Sequence, residues 1–173
     1  YCKQRTAKGG KRKVVLAFLL KIFDGLTFRG LVLVSKRRAL RELVTKVLFQ
    51  TDFRPNDFQE ILGDVTEKIK ENDLKSEVER YAKNIWENKE KIDSIISNHL
   101  LNWDFDRVSF IERSILRLGT YELIYEMDIP IEVTLNEMIE IAKKYGEDDS
   151  GKFVNGVLDK IAKTETPKEK YEI

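Results

Sequence analysis

The chain has 173 residues, 42% of them apolar and 35% charged, with a formal net charge of +1. That length suits one well-packed domain with an appendage and is too short for two ordinary ones. A single cysteine, Cys2, excludes an internal disulfide framework and makes the cytoplasm the default compartment, while the one histidine, His99, has no ligand-spaced companions and reads as a satisfied residue, not a metal ligand or general base.

The near-neutral total hides a gradient. Residues 1–33 hold eight Lys and Arg against Asp24 alone, a local charge of +7, which leaves −6 on the remainder. The basic start followed by "VVLAFLL" imitates a secretory signal, but Lys21, Asp24 and Arg29 interrupt the apolar run and defeat both that reading and a membrane span. Residues 1–33 are therefore expected to be an extension upstream of a natural start at Val34, with a surface amphipathic helix as the alternative, and residues 34–173 to form the domain proper.

From Lys36 onward the pattern is helical. Leu40, Leu43, Val44, Val47 and Leu48 make one apolar stripe on a first helix of about four turns. Pro55 and Asn56 open a second helix with Phe58, Ile61, Leu62, Val65 and Ile69 inside. A long pattern then uses Leu74, Val78, Tyr81, Ile85, Ile92, Ile95 and Ile96, with a break expected near Asn88, and "NWDFD" ends it.

"RVSFIERSILRLGTYELIYEM" is apolar on several sides, with Val108, Ile111, Ile115 and Leu118 on one face and Leu116, Leu123 and Ile124 on others, which predicts a central helix. Gly119 within it marks a close helix crossing. "DIPIEV" reads as a short extended connection, Thr134 to Glu137 as a capping box, Gly146 as a left-handed helix stop, and Asp149 or Ser150 as the cap of a last helix buried through Val154, Val157, Leu158 and Ile161. The expected fold class is all-α, a bundle of about seven helices.

"GEDDSGKF" has the spacing of a phosphate-cradling loop, but Phe153 stands where the magnesium-holding Ser or Thr belongs, and a helix rather than a strand precedes it. It is a helix stop, an acidic loop and a helix start. Asp148 and Asp149 suit helix amides better than catalysis, and no catalytic, metal or cofactor constellation is legible, so an enzyme is not expected.

On the first helix, Arg38, Thr45 and Phe49 fall opposite the apolar stripe with Arg41 on its flank, and Lys36 and Arg37 extend the charge. Cations beside an exposed ring suit single-stranded RNA, where guanidinium groups pair phosphates and a ring stacks on a base. A solvated basic face with Phe49 packed against another helix fits the pattern equally. Lys152 and Phe153, near Asp149, repeat the theme on the last helix, and core packing of Phe153 is again the alternative.

"SKRRALRELVTKVLFQTDF" and, downstream, "DIPIEVTLNEMIEIAKKYGEDDSGKFVNGVLDKIAK" resemble the NusB family of bacterial transcription antitermination proteins, from Ser35 to about Lys170. The resemblance implies two small helical bundles around a central helix. It further implies binding of the boxA segment of nascent ribosomal RNA, together with the ribosomal protein NusE, within the RNA polymerase antitermination complex. By position, the RNA-facing residues correspond to Lys36, Arg37, Arg38, Arg41 and Phe49 on the first helix and to Asp149, Lys152 and Phe153 on the last, and the NusE contacts to Asp106 and Glu112. Some members carry three consecutive arginines where this chain has Arg37, Arg38 and Ala39. The alternatives are a homodimer whose RNA face is masked and an accessory domain of the kind fused to RNA cytosine methyltransferases.

Overall fold

The computed structural model describes residues 36–101 and 104–172, and the expectation for residues 1–33 lies outside them. Seven α-helices occur among the described residues: α1 Lys36–Phe53, α2 Phe58–Thr66, α3 Asn72–Glu87, α4 Lys89–His99, α5 Phe110–Tyr125, α6 Ile131–Tyr145 and α7 Ser150–Glu165. Short 3-10 turns cover Pro55–Asp57, Phe105–Arg107 and Lys168–Glu172. No strand occurs among the described residues.

Helices α1, α2 and α3 form one small bundle around Val47, Phe58, Ile61, Leu62, Val65 and Ala82. Trp86 closes it by stacking on Phe58 with ring centroids 4.8 Å apart. Helices α5, α6 and α7 form the second, α4 packs on α5 and α7, and α1 packs on α5 to join the two. The break at Asn88 is present: its side-chain amide donates to the Asn84 carbonyl at 2.8 Å and separates α3 from α4. His99 is satisfied, with its ring nitrogens 2.7 Å from the Ile95 carbonyl and 2.8 Å from the Thr164 hydroxyl.

Central α5 is buried at every position from Ser114 to Leu123, as expected of a helix apolar on several flanks. Gly119 is the close crossing. A β-carbon there would lie 2.6 Å from Leu158 Cδ1 on α7 and 3.0 Å from Met138 Cγ on α6, so only hydrogen lets the three helices meet.

Several local expectations are corrected. Ile69 is only half-buried, because α2 stops at Thr66. The extended connection through "IEV" and the capping box at Thr134–Glu137 do not form, because Pro130 starts α6 a turn earlier and its carbonyl accepts from the Val133 amide at 3.1 Å. The capping box lies instead at Ser109–Glu112, at the start of α5. Gly146 is not left-handed (φ −92°, ψ −167°); glycine is required because a β-carbon would lie 2.5 Å from Ser150 Oγ and 2.7 Å from the Ala142 carbonyl. Neither Asp149 nor Ser150 caps α7 with its side chain; Ser150 Oγ accepts from the Glu147 amide at 2.9 Å.

The chain after α7 folds back on α5. Lys170 is 2% exposed, and its ammonium donates to the carbonyl oxygens of Glu122, in the last turn of α5, and, at 2.9 Å, Glu126, its C-cap, the negative end of the helix dipole. Burial pushes this lysine below its ordinary pKa, against the opposing charges of Glu122, Glu126 and Asp128.

The glycines separate by surroundings. A β-carbon added at Gly63 or Gly156 would meet nothing within 4 Å, so Gly63→Ala and Gly156→Ala should each raise stability by about 0.5–1 kcal/mol through helix propensity. Gly119→Ala should lower it despite the same propensity gain, because overpacking costs about 1–3 kcal/mol; urea denaturation of the three variants checks the opposite signs.

Candidate nucleic-acid interface

The interface begins with a buried ion pair. Arg41, 2% exposed, donates through Nε and Nη2 to the two carboxylate oxygens of Glu122 at 2.8 and 3.1 Å, a bidentate fork between α1 and α5. Thr134 on α6 donates to the same carboxylate at 3.0 Å, so one acidic group ties three helices. Arg117 repeats the scheme across α5, α1 and α4, bonding Asp93 at 2.6 and 3.0 Å and Asp52 at 2.8 Å. These groups fix how α1 is rotated about its axis.

With Arg41 turned inward, the other cations of the first turn reach water. The Lys36 side chain is 71% exposed and pairs with Glu71 at 3.1 Å; that of Arg37 is 58% exposed and pairs with Asp128 at 3.5 Å. Such surface pairs add little to stability and are screened by salt, so a phosphate can replace either carboxylate. Arg38 is held more firmly, bonding Glu137 on α6 at 2.7 and 3.1 Å. Bonding to Arg38, opposed by partial burial and helped by Arg41, holds the Glu137 carboxyl below its usual range. No acidic residue occupies the first turn of α1, although a helix N-terminus favours negative charge. The cations therefore sit where they gain nothing from the helix itself.

The second element is the start of α7. Asp149 and Lys152 are both largely in water and 3.4 Å apart, and Phe153 is half-buried. Asp149, Ser150 and Phe153 line a cleft of about 300 Å³ together with Arg107, Val108, Glu112 and Glu147. Lys36, Arg37 and Arg41 line a separate cleft of about 210 Å³ with residues of α3, α5 and the turn after α5, among them Arg80, Tyr81 and Glu126. Asp106 is exposed on the 3-10 turn before α5, and its carbonyl accepts from Arg113 Nη2 at 2.7 Å. Among the described residues no cluster of acidic, His or Cys side chains could hold a metal ion, and no helix is long and apolar enough to cross a membrane.

The profile of the NusB family matches residues 38–163. The chain belongs to the NusB family. It is 60% identical over 141 residues to the transcription antitermination protein NusB of Fervidobacterium nodosum, a match that covers 82% of this chain and 100% of the relative. The NusB of Thermotoga maritima is 49% identical over 140 residues, 80% and 99% of the two chains. A solved structure of T. maritima NusB superposes with a TM-score of 0.76, covering 79% of this chain and 97% of that one. A crystal structure of antitermination factors NusB and NusE in complex with dsRNA superposes at 0.69 and 34% identity, covering 74% and 96%.

Set against the NusB resemblance, the residues divide. Lys36, Arg37, Asp149 and Lys152 stand in solvent, Arg38 is partly exposed within its ion pair, and Phe153 is half-buried at the cleft. Two positions are not the solvent-facing groups expected on α1. Arg41 is consumed by Glu122, and Phe49 is 2% exposed, edge-on to Phe53 at 5.1 Å, because α5 covers the face opposite the apolar stripe. Thr45 is wholly buried on that same face.

Three cations near these elements escape a reading of the sequence: Arg107, which lines the α7 cleft, and Lys143 and Lys144 on the last turn of α6, with Lys144 bonding Glu42 at 2.8 Å. The lysine pair has an ordinary use at a helix C-terminus, so nothing in the sequence singles it out.

Replacing Arg41 by Met leaves Glu122 buried without its cation and should cost about 3–5 kcal/mol of folding stability in urea titrations. For Glu137, whose folded pKa is depressed, the stabilisation is present above the ordinary carboxyl value of 4.5 and is lost as pH falls through the lower folded value. The stability advantage of the native chain over Glu137→Gln should thus shrink toward zero in melts taken from neutral pH down to strongly acid pH.

Proposed function

We propose that this chain is a transcription antitermination factor that captures boxA-type single-stranded RNA of ribosomal RNA transcripts in the cytoplasm, jointly with a NusE-type ribosomal protein, within the RNA polymerase antitermination complex. The observation that carries the reading is the Lys36–Arg37–Arg38 tip of α1, set against the preference of the helix end, with Lys36 and Arg37 exposed on replaceable surface partners and Arg38 partly exposed in its firmer pair with Glu137. The structural neighbour that holds NusB and NusE with dsRNA supports a NusE-type partner and RNA as the class of ligand.

Capture is electrostatic: phosphates displace Glu71 and Asp128 from Lys36 and Arg37, counterions leave the RNA, and Lys152 supplies a further cation at the second element. Phe153, half-buried at the cleft, offers its ring for stacking, and Asp149 beside it accepts from base amino groups. Phe49 takes no part in stacking on this reading, since its ring lies inside. The protein partner docks at the start of α5 beside Asp106. Binding rather than bond-breaking is the activity.

Lys36, Arg37, Arg38 and Lys152, at about 0.7 counterions each, give a log–log salt slope near −3 for single-stranded RNA, and Lys36→Gln with Arg37→Gln should bring it to about −1.5. Phe153→Ala should weaken binding by about 1–3 kcal/mol if the ring stacks on a base. Fluorescence anisotropy over a salt series reads both, and a slope near zero in the native chain would reject RNA capture altogether.

A further inference from the structure

The NusB resemblance makes Glu112 a contact for the protein partner, yet both of its carboxylate oxygens are engaged inside the chain. One accepts from the Ser109 hydroxyl at 2.6 Å and the Ser109 amide at 3.3 Å, closing the capping box of α5. The other accepts from the Ser150 hydroxyl at 2.7 Å. Ser150 is 2% exposed and in turn accepts the Glu147 amide at 2.9 Å. A hydroxyl has a single proton to give. Giving it to Glu112 leaves the oxygen lone pairs aimed at Glu147, so the carboxylate sets the direction of the bond that shapes the loop.

That loop is the acidic turn that presents Asp149, and it leads directly into Lys152 and Phe153. Glu112 and Ser150 stand in the wall of the cleft that Asp149 and Phe153 also line. The packing leaves little slack on the other side, since Gly146 lies so close to Ser150 that even a β-carbon would collide with it. A hydrogen bond to a charged acceptor in this setting is among the stronger ones available.

We propose that Glu112 is a positioning residue for the RNA face, acting through the Ser150 hydroxyl to hold the loop of residues 147–149 in its binding shape. This rests on the RNA-capture reading above. Without the bond the loop samples other shapes and must be ordered when RNA arrives, which lowers affinity without removing any cation. The effect belongs to the chain alone and needs no protein partner.

The test is anisotropy of a labelled single-stranded boxA oligoribonucleotide with the full chain, its Glu112→Ala and Ser150→Ala variants, the double variant and Ser109→Ala. Each of the first two should weaken binding by about tenfold, the worth of a bond to a charged group, and the double variant by the same tenfold rather than a hundredfold, with the salt slope unchanged in all three. Ser109→Ala removes the other half of the capping box and destabilises α5 comparably, but should bind RNA like the native chain. Multiplicative losses, an unchanged Ser150→Ala, or an equal loss in Ser109→Ala would overturn the proposal; the last would mean that general destabilisation is the cause. Failure of the native chain to bind RNA would instead remove the functional reading and this proposal with it. Should Ser150→Ala not fold, Glu112→Gln, which keeps a neutral acceptor for Ser150, must fall between the native chain and Glu112→Ala.

Discussion

The fork between Arg41 and Glu122 is the constraint on which the rest of the structure depends. Two full charges inside a protein cost more than they return unless every remaining donor and acceptor is met. Here Thr134 completes the carboxylate, and Lys170 takes the peptide oxygen of the same glutamate. The gain is registry: a helix held only by Leu40, Val44, Val47 and Leu48 can roll or slide by a side chain at modest cost, whereas a bidentate pair fixes its rotation. That rotation decides which cations point inward and which remain available to a polyanion.

The seven helices were legible because their apolar residues recur at helical spacing, and central α5 announced itself by being apolar all round. Helix α1 misled for the converse reason. Its opposite face carries Thr45 and Phe49 with Arg41 on the flank, a mixture that fits a solvent-facing side as well as a packed one, yet α5 covers it, Glu122 pairs with Arg41, and Thr45 bonds the Arg41 carbonyl within α1. Periodicity counts apolar residues and is blind to polar ones that are buried with partners far away in the sequence. The helix ends show the same limit. "SFIE" and "TLNE" carry the same capping signature, and only the position of Pro130 decides that the first is used and the second is not.

The candidate site was legible to the extent that its charges lack a local use. Lys36, Arg37 and Arg38 oppose the helix end they occupy, which a sequence can reveal. The internal engagement of Glu112 could not be read, since its partner Ser150 is separated from it by the rest of α5 and all of α6. The same holds for the cleft, whose walls come from the turn before α5 and the turn before α7. Membership of the NusB family supplies the positions, and the geometry then sorts them into groups that face solvent and groups that organise the scaffold.

The anchoring of Lys170 has a practical consequence. Among lysines that stand in water, this ammonium is shielded by the end of α5 and by the segment that carries it. Amine-directed acylating reagents will therefore modify it only when the tail lifts, which makes its labelling rate a reporter of local opening. A chemical footprint at this one position distinguishes detachment of the C-terminal segment from melting of the whole bundle.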